Sequence, residues 1–252
     1  MMPLAEIVAF LDRELRIAEI PDYPGAVNGL QLANEGRVER IIAAVDASLP
    51  VIDEAAAGGP GLLLVHHGMF WQGVQPVTGP FYRKIKTAMD AGLALYSAHL
   101  PLDIHPEWGN NIQLARALGV QNPEPFFDWK GIFLGLKGAW SGSRDELADA
   151  LSQAVGGGPV HLTAGGPAEI RQIALITGGA GSEIPKVVAM GIDTFISGEG
   201  PHWSHPLALE LGANLLLAGH YATETSGVKS LAAALADRFG LPWSFIDHPS
   251  GL

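Results

Sequence analysis

Residues 61–67 read GLLLVHH, and this stretch decides how the rest of the chain is interpreted. Its continuous apolar run has the length of a β-strand and shows no polar alternation, which indicates a strand buried on both faces of a sheet. Neighbouring side chains on a strand point to opposite faces, but a turn that begins at Gly68 can bring both imidazole rings to one region. We therefore expect His66 and His67 at the carboxyl end of a buried strand, where open α/β sheets usually bind ligands.

The segments around this strand alternate between helical and extended patterns. The predicted elements are an amphipathic helix over residues 4–18, a strand over 38–48, a helix over PVIDEAAAG, a helix over 80–91, a strand over 93–100 and a helix over 110–119. Asp46 or Ser48 is suited to cap the second of these helices. Because strands alternate with helices, the sequence predicts an α/β fold with a mainly parallel sheet.

The same order of elements returns late in the chain, from IRQIALITGGAG (170–181) to GVKSLAAALADRFG. His99 and Asp103, after the third strand of one half, are matched by His220 and Glu224 after the third strand of the other. Each half thus offers a His-x-x-x-carboxylate pattern, which favours an internal duplication. The alternative is that βαβ units resemble one another without a duplication, since the same physics shapes them all.

The duplication predicts two similar α/β lobes. The first covers residues 1–124 and the second covers residues 125–252. Within the second lobe, residues 125–165 have a less regular pattern, and we expect a small inserted or linking module there.

The composition excludes several classes of protein. The chain of 252 residues contains no cysteine, so disulfides, thiolate catalysis and iron–sulfur clusters are excluded. A formal net charge of -11 disfavours broad nucleic-acid binding, because the average field repels polyanions. The N-terminal segment carries charges at helical spacing, and no apolar run is long enough for a membrane span, so we expect a cytoplasmic protein that does not contact a membrane.

Five side chains that follow predicted strands carry the chemistry of metal binding. They are His66, His67, Asp103, His220 and Glu224. Imidazole is the usual nitrogen ligand of Zn, Mn, Fe, Co or Ni, and carboxylates supply oxygen ligands that can bridge two ions. Because one tetrahedral ion rarely uses five ligands, we expect two divalent metal ions in each subunit, of a metal that the sequence does not identify.

The same strings also resemble a known family. VNGLQLA (27–33), LLLVHHGMFW (62–71), YSAHLPLDIHPEWGNNIQLARALG (96–119), ISGE (196–199) and AGHYATETSGVKSLA (218–232) are similar to those of the GTP cyclohydrolase I type 2 family, also called NIF-three-like dinuclear metal proteins. The resemblance runs from about residue 4 to the C-terminus in the short form of the family, and all five ligand positions are filled. It implies a NIF-three-like fold of two duplicated lobes with the metal site in the cleft between them, and a homo-oligomer, namely a ring-shaped hexamer.

Other residues are interpreted with alternatives left open. His99 and Glu199 are candidate catalytic residues that move protons, against a buried, hydrogen-bonded role for His99. His105 is expected to be a loop residue without a functional role. The TGGAGS loop (177–182) either contacts a phosphate or forms a tight turn that needs glycine. The amides of Asn28 and Gln31 either form a turn or hold a substrate.

A second set of polar and aromatic residues also has two possible roles. His202, Trp203 and His205 either line a substrate pocket or pack between a helix and a loop, and His161 and His248 have no partner that the sequence identifies.

These observations favour a dinuclear-metal-dependent hydrolase that acts on a small, nucleotide-like molecule. The resemblance implies, more specifically, hydrolytic opening of the imidazole ring of a purine nucleoside triphosphate with release of formate. Two alternatives use the same ligands: a metal-dependent phosphoesterase, and a non-enzymatic metal carrier or metal-dependent binding or scaffold protein.

Overall fold

A computed structural model describes residues 1–251 and shows an α/β protein with two mixed sheets. The chain divides into two compact units. The first unit comprises Met1–Trp108 and Gly227–His248, and the second comprises Gly109–Ser226 and Pro249–Leu252. No helix within the described residues has the length and apolar character needed to cross a membrane.

The first unit contains a five-stranded sheet with helices against both faces. The strands of the whole unit are β1 (Met2–Pro3), β2 (Gly29–Leu32), β3 (Arg37–Val38), β4 (Ile41–Asp46), β5 (Gly61–His67), β6 (Leu93–Ser97) and β13 (Trp243–Phe245). Its helices are α1 (Leu4–Glu14), α2 (Leu49–Ala57), α3 (Gly79–Asp90) and α4 (Leu100–Asp103). The sheet order is β13-β4-β5-β6-β2, in which only β2 is antiparallel to its neighbour, while β1 and β3 form a separate pair. The predicted parallel sheet is therefore present, with one antiparallel edge strand.

Alternate side chains of these strands enter two separate cores. Leu62 and Leu64 of β5 pack with residues of α1, whereas Leu63 and Val65 pack with residues of α2. All four side chains are essentially inaccessible to solvent. A strand buried on both faces explains why the sequence of β5 is continuously apolar and does not alternate. Ser48 caps α2 as one of the two residues expected there, because its Oγ accepts a hydrogen bond from the Val51 N–H at 3.4 Å.

The second unit has the same kind of organisation. Its strands are β7 (Gln121–Trp129), β8 (Ile132–Ser143), β9 (His161–Ala164), β10 (Glu169–Ile176), β11 (Thr194–Ser197) and β12 (Asn214–Leu217). Its helices are α5 (Asn110–Ala117), α6 (Arg144–Ala154), α7 (Ile184–Ala189) and α8 (Ser204–Glu210). Helix α9 (His220–Phe239) begins in this unit and ends in the first. The sheet order is β7-β8-β10-β11-β12-β9, with β10, β11 and β12 parallel. Buried residues of β10 divide between two cores as those of β5 do.

The two units repeat one sequence of elements, as the predicted duplication requires. In each, a helix precedes an antiparallel edge strand, and three parallel strands with intervening helices follow. The edge strand β2 pairs with β6, and the corresponding β9 pairs with β12. This match places the segment after β6 and the segment after β12 at equivalent positions of the two sheets.

The bounds of the two units differ from the predicted lobes. The expected division between residues 124 and 125 falls inside β7, which pairs with β8 in the second sheet. Residues 125–165, expected as an inserted or linking module, supply most of β7 and all of β8, α6 and β9, so they belong to that sheet and to the helix that covers it. The helix predicted to begin at residue 227 begins at His220, because Gly219 takes a positive φ of 93° and ends the extended segment there.

Candidate metal centre

The strand β5 delivers the adjacent histidines of the first unit to one region. The ring centroids of His66 and His67 lie 4.8 Å apart, so the two rings lie in one region as the sequence predicted. The turn expected at Gly68 lies further along the chain, where the Gly73 N–H donates to the Phe70 carbonyl. His66 is fully buried, and the side chain of His67 is 18% exposed. His99 follows β6, the next strand of the sheet, and its ring centroid lies 5.0 Å from that of His66. Neighbouring parallel strands thus assemble a three-histidine group, defined as His66, His67 and His99.

Each ring of the three-histidine group is held at Nδ1 by an oxygen atom of the same unit. The Nδ1 atom of His66 donates to the Ala98 carbonyl at 2.8 Å, and that of His67 donates to Asp46 Oδ1 at 2.9 Å. The Nδ1 atom of His99 donates to Asp22 Oδ1 at 2.9 Å. Because a carbonyl or carboxylate oxygen can only accept, these contacts select the tautomer that keeps a lone pair on Nε2. Oxygen partners of this kind orient histidine ligands in metal sites.

The donor set of the three-histidine group fits a metal ion. One nitrogen atom from each of the three rings lies within 4.8 Å of the others. Asp103, at the end of α4, adds a carboxylate whose Oδ2 lies 3.5 Å from Nε2 of His66. Imidazole nitrogen atoms beside a buried carboxylate suit a first-row divalent metal. His66, His67 and Asp103, which the sequence predicts as ligands, lie together in the structure with His99.

Asp22, which no sequence pattern singled out, holds His99 in place. Besides the ring of His99, its carboxylate accepts hydrogen bonds from the backbone N–H of Leu100 at 3.0 Å and from the amide of Asn28 at 2.7 Å. Burial raises the pKa of Asp22, but a hydrogen bond to His99 and the electrostatic interaction with its ring lower it. Hydrogen bonds from Asn28 and from the Tyr23 N–H lower it further, so that the pKa lies below its ordinary value. The carboxylate therefore stays ionised and can accept the Nδ1 proton of His99.

The amides of Asn28 and Gln31 bind the protein itself, which favours the turn over the substrate contact. Asn28 Oδ1 accepts the backbone N–H of His99 at 2.8 Å. Gln31 donates to the carbonyls of Ala26 and Val27 and accepts the N–H of Met69, which lies just after the histidine pair. These two side chains therefore fix the turn at residues 22–28 relative to the ends of β5 and β6.

The second unit positions a histidine between two carboxylates. His220 begins α9, and Glu224 lies one helical turn later, with its Oε1 3.2 Å from His220 Nε2. Glu199 follows β11, and its Oε1 lies 3.0 Å from His220 Nδ1. Burial lowers the pKa of His220, but hydrogen bonds and charges from Glu224 and Glu199 outweigh it and raise the pKa to about 9. Without a metal, His220 therefore carries a proton at neutral pH.

The TGGAGS loop fits closely around this carboxylate–histidine group. Gly178 takes a positive φ of 70°, and a Cβ atom there would collide with Oε1 of Glu224. The backbone of Gly178 is fixed by Thr223, whose hydroxyl accepts its N–H at 3.0 Å, and by Ser197, whose hydroxyl donates to its carbonyl at 3.0 Å. The tight-turn interpretation therefore explains Gly178, and contact with a phosphate stays a prediction.

The remaining histidines lie outside these two groups. His105 accepts the backbone N–H groups of Glu107 and Trp108 and stacks on the Trp108 ring at 4.4 Å, which agrees with the expected structural role. His205 shares a hydrogen bond with Thr163 at 2.8 Å, and its ring lies 5.7 Å from that of His161. That His202, Trp203 and His205 line a substrate pocket stays a prediction.

The sequence matches the model of one protein family over nearly its whole length. The model of the Duf34/NIF3 (NGG1p interacting factor 3) family matches residues 2–250. The chain belongs to this family. The resemblance drawn from the sequence strings is therefore confirmed over nearly the whole chain, together with the α/β fold of the family.

Several curated relatives of this Duf34/NIF3 protein carry the name GTP cyclohydrolase 1 type 2 homolog. The Deinococcus radiodurans protein is 42% identical over 98% of this chain and 94% of its own length. The Halobacterium salinarum protein is 41% identical over the whole length of both chains, and the Escherichia coli protein is 36% identical over 99% of both.

Solved structures agree with this family assignment. A crystal structure from Thermus thermophilus is 39% identical, with a TM-score of 0.90 and full coverage of both chains. Reduced HcgD from Methanocaldococcus jannaschii is 29% identical, with a TM-score of 0.86 over 98% of each chain. The chain is thus a Duf34/NIF3 protein whose first unit contains a group of residues that could hold a metal ion.

Proposed function

We propose that this protein is a hydrolase that uses two divalent metal ions to act on a small, nucleotide-like molecule. The proposed ligands are His66, His67, Asp103, His220 and Glu224. The observation that carries the proposal is the three-histidine group, in which three imidazoles on neighbouring strand ends are each held at Nδ1 by an oxygen atom. This arrangement constrains three rings at once, which ordinary packing of a core does not require.

The carboxylate–histidine group of the second unit, which comprises Glu199, His220 and Glu224, supports the proposal that His220 and Glu224 are ligands. His220 and Glu224 present nitrogen and oxygen donors one helical turn apart, and Glu224 is almost completely buried. Burial of a carboxylate is costly unless a cation compensates its charge. A divalent ion would replace the proton that His220 otherwise carries.

The chemistry follows from the donor types. Divalent ions in such a site lower the pKa of a bound water toward neutrality and polarise an electrophile. Nitrogen and carboxylate ligands suit Zn, Mn, Fe, Co and Ni, so the proposal includes all five. Glu199 and His99 are proposed to move protons during hydrolysis, since each forms a hydrogen-bonded carboxylate–histidine pair next to the proposed ligands.

The names of the relatives direct the choice of substrate. GTP is the first nucleotide to test, and opening of its imidazole ring with release of formate is the proposed reaction. The metals would attract a polyphosphate although the chain carries a net charge of -11. We also propose a homo-oligomer, a hexamer, in the cytoplasm, which analytical ultracentrifugation and cell fractionation would test.

The test combines metal analysis with turnover. Protein purified without chelator is analysed for metals by mass spectrometry, then incubated with GTP while formate and phosphate are measured separately. We expect about two divalent ions per chain and formate release that collapses in Glu224→Gln. His161→Ala is the control, because this exposed histidine lies outside both ligand groups.

Each alternative gives a distinct result. Phosphate without formate would identify a phosphoesterase. Tight metal uptake without release of either product would favour a metal carrier or scaffold and contradict the hydrolase. Turnover that survives complete removal of the metals, or a chain that takes up no stoichiometric metal, would overturn the proposal as a whole.

A further inference from the structure

Two exposed aromatic side chains lie against the accessible members of the three-histidine group. The Trp71 ring is 4.8 Å from the His99 ring and 5.6 Å from the His67 ring, and is nearly perpendicular to both. The Tyr23 ring lies 6.2 Å from that of His99. Trp71 and Tyr23, named the aromatic pair, therefore both border the ring of His99.

The backbone around the aromatic pair is tightly fitted. Trp71 lies in the loop after β5, whereas Tyr23 lies in the turn that carries Asp22. At Gly25 the two segments are so close that an added Cβ atom would lie 2.9 Å from the Trp71 carbonyl oxygen and 3.0 Å from its Cα. The same turn is fixed to the histidine strands by Asn28 and Gln31. The backbone of Trp71 is therefore packed closely against the segment that carries Tyr23.

Solvent reaches the three-histidine group beside this pair. His66 is fully buried, while small parts of the His67 and His99 side chains are exposed. Trp71 is 38% exposed and Tyr23 is 49% exposed, although large aromatic rings are among the side chains that gain most from burial. Exposed aromatic surface next to a set of polar side chains is typical of a site that binds a planar ring.

We propose that the aromatic pair stacks on the base of a purine nucleoside and holds it beside the three-histidine group. This inference rests on the proposed function and names the part of the substrate that the protein recognises. Every base has an aromatic face, and stacking on a tryptophan contributes strongly to nucleotide binding without base-specific hydrogen bonds. The competing interpretation is that Trp71 only shields the imidazoles from water.

The test measures binding of guanosine, which has the base, and of ribose 5-phosphate, which lacks it. Calorimetric titrations are made on zinc-loaded and on metal-free protein. We expect the guanosine Kd to rise about tenfold to a hundredfold in Trp71→Ala and by less in Trp71→Phe, with the ribose 5-phosphate titration unchanged. Trp243→Ala is the matched control, since Trp243 lies in the same unit and is 40% exposed.

Zinc uptake of each variant separates this inference from the proposed function. An unchanged guanosine Kd in Trp71→Ala, or no binding of guanosine to the unmodified protein, would overturn the stacking proposal even if metals bind and GTP turns over. Loss of zinc from both Trp71→Ala and Trp71→Phe would establish the shielding role instead. Failure of metal uptake in the unmodified protein would overturn the proposed function, whereas guanosine binding to metal-free protein would still test the aromatic pair.

Discussion

Asp22 Oδ1 accepts a hydrogen bond from His99 Nδ1 at 2.9 Å, although 77 residues separate the two in sequence. The other carboxylate oxygen of Asp22 accepts the N–H of Leu100, so one side chain fixes both the ring of His99 and the backbone that follows it. His67 has an equivalent partner in Asp46. Two histidines of this unit thus form a hydrogen bond from Nδ1 to a carboxylate. This bond orients each ring and leaves its Nε2 atom available to a metal ion.

Asp22→Asn should impair turnover more than metal content. The amide keeps the shape of the side chain but loses the charge, and its NH₂ group would face a donor. Loss of an orienting carboxylate of this kind typically costs about 10- to 100-fold in activity, so we expect a fall of that size in kcat with two metals per chain retained. Asp90→Asn is the control, because Asp90 forms an exposed pair with Lys86. Loss of one metal from Asp22→Asn would show instead that His99 is a ligand.

Gln31 and Gly68 should be energetically coupled. A Cβ atom on Gly68 would overlap the amide of Gln31, which makes hydrogen bonds with Ala26, Val27 and Met69. Gly68→Ala and Gln31→Ala should each lower the free energy of unfolding by about 1–3 kcal/mol, because backbone partners lose their bonds. The double variant should lose clearly less than the sum of the two, as measured by urea denaturation. Strictly additive losses would show that the contact does not matter.

Metal affinity should rise with pH through the range in which His220 loses its proton. Below its pKa of about 9, metal-free His220 is protonated, and a metal must displace that proton to bind. One displaced proton makes the affinity fall about tenfold between about pH 8.5 and pH 7.5. Titration against a chelating dye measures this slope. Glu199→Gln should flatten it, because one of the two carboxylates that raise the pKa of His220 is removed. A slope that is unchanged in this variant would contradict the assignment.

The elements around the candidate site were largely predictable from local patterns. The apolar run of β5 followed by two histidines fixed the position of His66 and His67, because a strand buried on both faces leaves little freedom in where its polar end lies. Helix α9 was predicted to begin too late, since Thr223, Thr225 and Ser226 weaken its first turns as a helical pattern.

Long-range contacts were not predictable in the same way. Asp22 lies in a turn, and nothing in its local pattern connects it to a histidine 77 residues later. The partnership of Asp46 with His67 depends on the register in which β4 pairs with β5, and hydrophobic runs buried on both faces do not specify that register. The bounds of the two compact units were not predictable either, because the second sheet includes β7 and β8, whose strand pattern gives no sign of the partner they pair with.

Gly178 and Gly179 are adjacent glycines that should respond very differently to alanine. At Gly178, with a positive φ of 70°, an added Cβ would collide with the Glu224 carboxylate, whereas at Gly179 the nearest atoms lie at 3.5 Å, an ordinary contact. The backbone conformation alone costs a side chain about 1–2 kcal/mol, and the collision adds to it. We therefore expect Gly178→Ala to lower thermal stability and to weaken metal binding by displacing Glu224, while Gly179→Ala stays close to the unmodified protein in both measurements. If the two variants behave alike in thermal melts and metal titrations, the Glu224 carboxylate does not lie against Gly178 in the folded protein.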